Sequence, residues 1–366
     1  MDSLKFVNYA FTVAQKDALI SFGKYIQRCL NPPYLVYFSV TYRCNARCTT
    51  CLRWQNTDTS GELSLDECKS LASELHRWAG PCNISFTGGE PFKKQDFFEL
   101  LRYVNSLGLC TNVSSNGIVF DTGACERIIE SGLDSIVFSL NSIEPELHNR
   151  YKGTPGLHQK ITAAIAYLNK KKKRPRIGVL CLITNENYRS LDDFAQWAQA
   201  LGVDSIDFQP ILGIHPANPD LSLPTQDSFF NTPLAQIEDL EALDKQIDLL
   251  VQRKKAGCPI VLPIKYLLRI KSFFRKSSQL CLHRGCTVGF RNLYIAHKGD
   301  VQLCPWLPPI GNIRKRALRD IWFSKEAAQQ RSNMLSCSLP CMGGCMREYG
   351  FPEKLSHFLF LIKRRI

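Results

Sequence analysis

Three cysteines within eight residues constrain this chain more than any other stretch. Cys44, Cys48 and Cys51 have the spacing C-x3-C-x2-C and follow an apolar run, residues 34–40, that is typical of a β-strand. Parallel α/β folds place their chemistry on the loops that leave the C-terminal ends of strands. Three thiolates can bind three irons of a 4Fe-4S cluster and leave the fourth iron without a protein ligand. We therefore expect these cysteines to hold an iron–sulfur cluster with one open iron, where a substrate or cofactor can bind.

A second motif, Thr87-Gly88-Gly89-Glu90-Pro91, follows the next apolar run. A C-x3-C-x2-C loop after the first strand and a G-G-E-P stretch after the second resemble the radical S-adenosylmethionine (radical SAM) superfamily. The resemblance implies that the open iron chelates the amino and carboxylate groups of S-adenosylmethionine. It also implies that a glycine-rich stretch contacts the amino group: Gly88, Gly89, Glu90 and Pro91. In that family an aromatic residue commonly precedes the third cysteine and packs near the adenine, whereas this chain has Thr50 there.

Zinc is the alternative occupant of the three-cysteine loop. Structural zinc sites take four ligands, and the nearest further cysteine and histidine residues in sequence are Cys29, Cys68 and His76. None of these three residues lies close to the loop in sequence, so we favour the iron–sulfur cluster.

Short polar residues follow the third and fourth predicted strands. By the resemblance, they complete the S-adenosylmethionine site and contact the ribose hydroxyls and the carboxylate. The residues are Ser115, Asn116, Ser139 and Asn141. Residues 181–185 and 209–210, after the fifth and sixth strands, are further candidates for adenine or substrate contact.

From residue 34 to about 209, strand-like apolar runs alternate with helical stretches, which is typical of βα units and a parallel sheet. Ser64, with Glu67 three residues later, forms a capping box at the start of one helix. The predicted strands cover 34–41, 82–87, 109–115, 135–140, 176–184 and 204–209. The predicted helices cover 64–79, 95–107, 122–131, 156–172 and 188–201. We therefore expect an α/β fold with a partial (β/α)6, TIM-like barrel, whose open mouth can admit a large substrate.

Four segments are expected along the chain. They are an N-terminal amphipathic helical extension (1–33), the partial barrel (34–225), a helical linker or bridging segment (226–280) and a small cysteine-rich domain (281–366). The extension and the basic segment 263–276 are both amphipathic, and such segments can lie on a membrane surface. We favour packing of the extension against the barrel, and a bridging helix between domains for residues 263–276.

Six cysteines gather in the last quarter of the chain: Cys281, Cys286, Cys304, Cys337, Cys341 and Cys345. Cys286 and Cys304 flank a predicted β-hairpin that turns at 297–300. This pattern resembles the auxiliary iron–sulfur region of radical SAM enzymes called SPASM, or its shorter form, the twitch domain. A full SPASM region usually has seven cysteines, one of them beyond the last C-x3-C, and this chain has no cysteine after Cys345.

The cysteine count limits the number of auxiliary clusters. Six cysteines fill one four-ligand cluster with two left over, but cannot fully ligate two clusters. We therefore expect one auxiliary 4Fe-4S cluster, bound by Cys286, Cys304 and two of Cys337, Cys341 and Cys345, with Cys281 as a substitute. The alternatives are a second cluster with open or non-cysteine ligation, and a structural zinc.

Charge and cysteine content indicate the surroundings of the protein. The 46 Lys and Arg residues against 33 Asp and Glu give a net charge of +13, which favours acidic partners. The chain lacks helix-turn-helix, zinc-finger and RNA-binding-sheet patterns, so no nucleic-acid partner is expected. Sixteen cysteines without a secretory signal are typical of a reducing compartment, and charges interrupt the apolar residues of 1–30. We therefore expect a cytoplasmic protein for which membrane contact is not favoured.

The resemblance also implies a reaction. A reduced cluster gives one electron to S-adenosylmethionine, the C5′–S bond breaks, and the 5′-deoxyadenosyl radical abstracts hydrogen from a substrate in the barrel. Reduced ferredoxin or flavodoxin is the expected electron donor. The sequence identifies neither a catalytic residue nor the substrate, which can be a peptide, a cofactor precursor, a sugar or a lipid. The alternatives are a glycyl-radical activating enzyme and a non-catalytic iron–sulfur or zinc protein.

Overall fold

The fold is built on one nine-stranded sheet with the order β6-β5-β4-β3-β2-β1-β7-β8-β9. The computed structural model describes residues 3–213, 230–275 and 286–343. Strands β1 to β6 are all parallel to their neighbours. The strands are β1 Leu35–Thr41, β2 Asn83–Gly88, β3 Cys110–Ser115, β4 Ser135–Ser139, β5 Arg176–Ile183, β6 Ser205–Pro210, β7 Asn292–Ile295, β8 Asp300–Gln302 and β9 Gly311–Asn312. The predicted α/β fold with a partial barrel is confirmed, and each predicted strand agrees with the observed one to within one residue at either end.

Helices connect successive strands of the barrel, as βα units require, and further helices lie before the first strand and after the sixth and ninth strands. They are α1 Ser3–Tyr25, α2 Leu65–Ala79, α3 Phe97–Ser106, α4 Thr122–Glu130, α5 Pro145–Lys152, α6 Leu157–Asn169, α7 Leu191–Ala200, α8 Leu240–Lys255, α9 Ile264–Phe274, α10 Leu318–Trp322 and α11 Lys325–Leu335. The capping box at α2 is present, since the backbone N–H of Glu67 donates to Ser64 Oγ (3.2 Å) and that of Ser64 to Glu67 Oε2 (2.8 Å). Helix α5 was not predicted, and its position matters for the site described below.

Burial alternates along the barrel strands. On β1, Val36 and Phe38 are 0% and 2% exposed, and Phe38 packs against Leu71 of α2 in the outer layer. Tyr37 and Ser39, which point to the other face, are only half-buried. Because side chains alternate between the two faces of a strand, the outer face of β1 packs into the core and its inner face is partly accessible.

Helix α1 lies across the N-terminal ends of the barrel strands. Lys5 Nζ is 2.7 Å from Asp134 Oδ2, just before β4. The ammonium group of buried Lys16 donates to the carbonyl oxygens of Pro33 (3.2 Å) and Ala79 (2.8 Å). Within residues 1–33, where the sequence predicted an amphipathic helical extension, α1 is a continuous helix of 23 residues. Across the described ranges, no helix combines the length and the apolar character needed to cross a membrane.

Two segments after the barrel differ in part from expectation. A helical linker or bridging segment was predicted over 226–280, but α8 begins only at Leu240 with Asp239 as its N-cap, and residues 226–229 lie outside the described part. The basic segment 263–276 forms α9, which packs on α8. Two of its cations pair with acidic residues of α8, as Lys271 Nζ is 2.6 Å from Asp248 Oδ1 and Arg275 Nη2 is 2.7 Å from Asp244 Oδ2. Residues 214–225, the last part of the segment 34–225 assigned to the barrel, lie outside the described residues.

The C-terminal hairpin joins the barrel sheet directly. Strand β7 runs parallel to β1, with Tyr37 opposite Tyr294, and these two rings stack with 4.8 Å between centroids. Strand β8 returns antiparallel to β7. The hairpin predicted between Cys286 and Cys304 is therefore present, and its turn lies at the same end of the sheet as the three-cysteine loop.

Candidate active site

The three-cysteine loop, residues 44–51, is fixed to the C-terminal end of α5 by backbone hydrogen bonds. The N–H of Arg47 donates to the carbonyl of Lys152 (3.0 Å), and the N–H of Thr49 donates to that of Tyr151 (3.0 Å). Gly153 ends the helix in the left-handed region, with φ +60°, where a Cβ atom would lie 2.9 Å from the carbonyl oxygen of Arg47. The loop therefore needs both the end of α5 and a glycine after it.

The thiols of this loop are half-buried and close enough to influence one another. Burial raises the pKa of Cys44 to about 11, and Glu90, Cys48 and Cys51 raise it further, against a backbone hydrogen bond from Ala46 that lowers it. Burial also raises the pKa of Cys51. Binding of a metal would release these protons, because the thiolate is the ligand.

The donor set fits an iron–sulfur cluster. Within residues 3–213, 230–275 and 286–343, no three Cys, His, Asp or Glu side chains converge where a single metal ion would sit. In a cubane cluster each cysteine binds a different iron. The three thiols of this loop are therefore a donor set that a cubane cluster can use.

The Gly88-Gly89 pair lies against the backbone that leads into the cysteine loop. The N–H of Gly89 donates to the carbonyl of Thr41, and the N–H of Glu90 to that of Arg43, both at 2.8 Å. A Cβ atom on Gly88 would lie 2.1 Å from the carbonyl oxygen of Thr41, and one on Gly89 would lie 2.2 Å from that of Arg43. This close approach explains both glycines and brings the second motif beside the first.

The Glu90 side chain links the end of β2 to the end of β3. Its carboxylate is fully buried and accepts hydrogen bonds from Ser115 Oγ (2.9 Å) and from the backbone N–H of Asn116 (2.7 Å). Burial raises the pKa of Glu90 to about 7 despite these hydrogen bonds. Asn116 Nδ2 donates to Asn45 Oδ1 (2.9 Å) and lies 3.6 Å from Cys44 Sγ. Glu90, Ser115 and Asn116 thus tie three loops together around the cysteines.

The remaining predicted cofactor residues occupy three different positions. Thr50 is buried within the cysteine loop, and Pro91 is buried where a short 3-10 turn begins. Ser139 is half-buried at the end of β4. Asn141 is 1% exposed, and its Oδ1 accepts from the N–H of Leu182 (3.3 Å). Its Nδ2 is buried without a hydrogen-bond partner in the described part of the chain, so it can donate to a ligand.

Lys152 is a site residue that sequence reasoning missed. It is 6% exposed, and its positive charge lowers the pKa values of Cys51 and Glu90, although burial dominates both shifts. Among the described residues, no hydrogen bond or ion pair of its ammonium group is seen. A buried cation between the cysteine loop and the second motif can pair with an anion. The sequence signal that could have found it is a helix start at Pro145 followed by Tyr151-Lys152-Gly153. The predicted pattern of strands and helices did not include this helix.

Four of the six C-terminal cysteines lie in the described residues. Cys286 and Cys341 are buried, whereas Cys304 and Cys337 are half-buried. Cys286 precedes β7 and Cys304 follows β8, so both are at the open end of the hairpin, away from its turn. Cys281 and Cys345 lie outside the described residues, so the ligand set of an auxiliary cluster stays a prediction.

Two protein-family profiles match this chain, one over the barrel and one over the C-terminal cysteine region. The radical SAM superfamily profile matches residues 38–198, which contain both motifs and the barrel. The profile of the iron–sulfur cluster-binding domain called SPASM matches residues 286–346. The chain therefore belongs to the radical SAM superfamily. Within it, the chain is an enzyme with a SPASM domain in its C-terminal part, a combination that implies iron–sulfur clusters and S-adenosylmethionine.

Characterised relatives resemble the chain over most of its length. It is 26% identical over 347 residues to an AdoMet-dependent heme synthase of Oleidesulfovibrio alaskensis, covering 88% of this chain and 84% of that protein. It is 26% identical over 332 residues to a PqqA peptide cyclase of Rhodopseudomonas palustris, covering 87% and 81%. Among solved structures, Streptococcus suis SuiB bound to S-adenosylmethionine has a TM-score of 0.62 at 17% identity, covering 86% of this chain and 73% of SuiB. The last likeness shows the shared fold.

Proposed function

We propose that this enzyme reductively cleaves S-adenosylmethionine at a 4Fe-4S cluster held by Cys44, Cys48 and Cys51. The observation that carries the proposal is the backbone contact of Gly89 and Glu90 with Thr41 and Arg43, directly before the cysteine loop, at one end of the barrel. The reduced cluster would supply the electron that converts S-adenosylmethionine to methionine and a 5′-deoxyadenosyl radical, which abstracts hydrogen from the substrate. The residues of the chain would bind the cofactor and hold the substrate.

The binding roles follow from the geometry. Backbone carbonyl groups of Gly88 and Gly89 are the proposed acceptors for the amino group of S-adenosylmethionine, because the Glu90 side chain is already bonded to Ser115 and Asn116. The buried ammonium group of Lys152 is suited to pair with the carboxylate of the cofactor. Asn141 Nδ2 can donate to the same group or to the ribose.

The half-buried inner face of the barrel is the proposed place for the substrate. Relatives are named for a peptide substrate and for heme synthesis, so a peptide and a cofactor precursor are the leading substrate classes, beside a sugar or a lipid. A single auxiliary 4Fe-4S cluster, bound by Cys286, Cys304 and two of Cys337, Cys341 and Cys345, is proposed to assist by binding substrate or accepting an electron.

The proposed electron donor is reduced ferredoxin or flavodoxin. The net charge of +13 favours an acidic protein of this kind. Association with an acidic donor should weaken as salt rises, because screening shortens the range of the attraction.

The decisive experiment is anaerobic reconstitution followed by reduction with dithionite and addition of S-adenosylmethionine alone. We expect about eight irons per chain and slow formation of 5′-deoxyadenosine. Cys48→Ala should abolish 5′-deoxyadenosine formation, whereas Cys125→Ala, a change at a buried cysteine of α4, should leave it intact. Zinc in place of iron, or iron without cleavage under any donor, would contradict the proposal.

A further inference from the structure

An aromatic stack joins the turn of the C-terminal hairpin to the cysteine loop. The His297 ring lies on the Tyr42 ring, with 3.8 Å between centroids and an interplanar angle of 33°. The guanidinium carbon of Arg53 lies 3.9 Å from the centroid of the same Tyr42 ring. Two groups this close to one centroid cannot share a face, so Tyr42 is held between an imidazole and a guanidinium.

The stack includes residues on both sides of the cysteine motif. Tyr42 is two residues before Cys44, and Arg53 is two residues after Cys51. Tyr42, Arg53 and His297 are 4%, 9% and 5% exposed, so the stack is shielded from water. Tyr42 and Arg53, which flank the cysteine loop, therefore contact each other. His297 of the C-terminal domain covers the Tyr42 ring.

We propose that His297 is a positioning residue for the S-adenosylmethionine cluster, holding the cysteine loop in place by stacking on Tyr42. This inference rests on the proposed function, because it assigns the cluster to the loop that His297 holds. It makes the SPASM hairpin a structural part of the first cluster site as well as a carrier of auxiliary-cluster ligands.

Neighbouring contacts support the same role. The backbone N–H of Leu63 donates to the carbonyl of His297 (2.8 Å). Arg314, just after β9, pairs with Glu67 (Nε to Oε1, 2.6 Å) and donates to the carbonyl of Gly61 (2.8 Å). The segment that leaves the cysteine loop is thus bound to the C-terminal domain over residues 61–67.

The histidine is neutral in this position. Burial lowers the pKa of His297 to about 4; Lys298 and Arg53 lower it further, and Glu62 opposes them. A neutral ring can face the same tyrosine as the Arg53 cation without charge repulsion. Both ring nitrogens are buried without a hydrogen-bond partner in the described residues, a costly arrangement that phenylalanine would avoid. Phenylalanine is therefore a suitable test of stacking alone.

The first measurement is hydrogen–deuterium exchange in the full chain before reconstitution. His297→Ala should accelerate amide exchange in residues 42–56 by roughly three- to tenfold, the size expected for loss of one aromatic contact. His297→Phe should keep exchange near that of the unsubstituted chain. Lys298→Ala is the matched control, because Lys298 lies on the same turn and forms only an exposed ion pair with Asp58.

The second measurement is electron paramagnetic resonance of the reduced, reconstituted protein with and without S-adenosylmethionine. We expect His297→Ala to reduce the fraction of cluster whose signal changes on cofactor addition, and His297→Phe to restore it. Unchanged exchange in His297→Ala, or a His297→Phe variant as impaired as His297→Ala in both measurements, would overturn the positioning role. If the unsubstituted protein does not cleave S-adenosylmethionine, the proposed function fails, whereas the exchange result still decides whether His297 holds the loop.

Discussion

Glu90 shows how one buried side chain can support a cofactor site without facing the cofactor. Its carboxylate is fully buried and bound to Ser115 and Asn116, so it joins the end of β2 to the end of β3. Glu90 is a motif residue expected to contact S-adenosylmethionine. Its side chain supports the neighbouring strand ends, so its backbone is left for that contact. The cost of this arrangement is a carboxylate in a water-free position.

The raised pKa of Glu90 predicts a pH dependence of stability. The pKa rises from 4.5 to about 7 on folding, so between these values the folded chain keeps a proton that the unfolded chain releases. The free energy of unfolding should therefore fall as pH rises through this window, by an amount on the order of 3 kcal/mol. Glu90→Gln should remove this part of the slope in urea unfolding of the cluster-free chain at pH 5 to 7.5, and exposed Glu130→Gln should not. An unchanged slope in Glu90→Gln would contradict the assignment.

Lys152 is predicted to bind the carboxylate of S-adenosylmethionine. Lys152→Met should weaken cofactor binding roughly ten- to hundredfold, because a charge-assisted hydrogen bond is lost. Lys152→Arg keeps the charge and should bind within a fewfold of the original. Equilibrium dialysis of S-adenosylmethionine with the reconstituted protein measures this, with iron content checked in each variant. Equal affinity of Lys152→Met and the original chain would rule out this role.

At the scale of elements, α1 closes the end of the barrel opposite the three-cysteine loop. Its lysines reach into the protein: Lys5 contacts Asp134 and Asn105, and Lys16 contacts two backbone carbonyls. Asp134 also accepts from the backbone N–H of Thr111 (2.9 Å), so this contact connects α1 with β3 and β4. The helix therefore stabilises the barrel at the end opposite the three-cysteine loop.

Loss of the Lys5 contact should destabilise the barrel without affecting the cluster. Lys5 and Asp134 are 10% and 5% exposed in their side chains, and removal of one partner leaves a buried charge. Lys5→Met should lower the free energy of unfolding by about 2 to 3 kcal/mol, whereas Lys24→Met, at an exposed lysine of the same helix, should change it by less than about 0.5 kcal/mol. Urea unfolding and iron content are the measurements. Equal stability of the two variants would show that α1 does not anchor through Lys5.

At the scale of the whole molecule, the two cysteine groups lie toward opposite ends of one sheet. Strands β1 and β7 are parallel neighbours; the cysteine loop follows β1, while Cys286 precedes β7. The four-residue strand β7 spans about 13 Å, and this length separates the two ends of the hairpin. The turn with His297 lies at one end, and Cys286 and Cys304 lie at the other.

This separation predicts that the two iron sites can be removed independently. Cys286→Ala should reduce iron from about eight to about four per chain and leave 5′-deoxyadenosine formation without substrate in place. Cys258→Ala, a change at a buried cysteine outside the hairpin, should leave the iron content unchanged. Iron analysis and Mössbauer spectra of the reconstituted proteins provide the test. Full iron content in Cys286→Ala would remove Cys286 from the ligand set.

The sequence alone determined the barrel strands, the class of enzyme and the two cysteine groups, because alternation, helix caps and ligand spacing are local patterns. It did not reveal α5, whose eight residues are mostly polar, and so it missed Lys152. Only the tertiary structure decided that Glu90 turns toward β3, that β7 pairs with β1 and that His297 covers Tyr42. These contacts join residues far apart in sequence, and their geometry depends on packing between elements that no single stretch of sequence encodes.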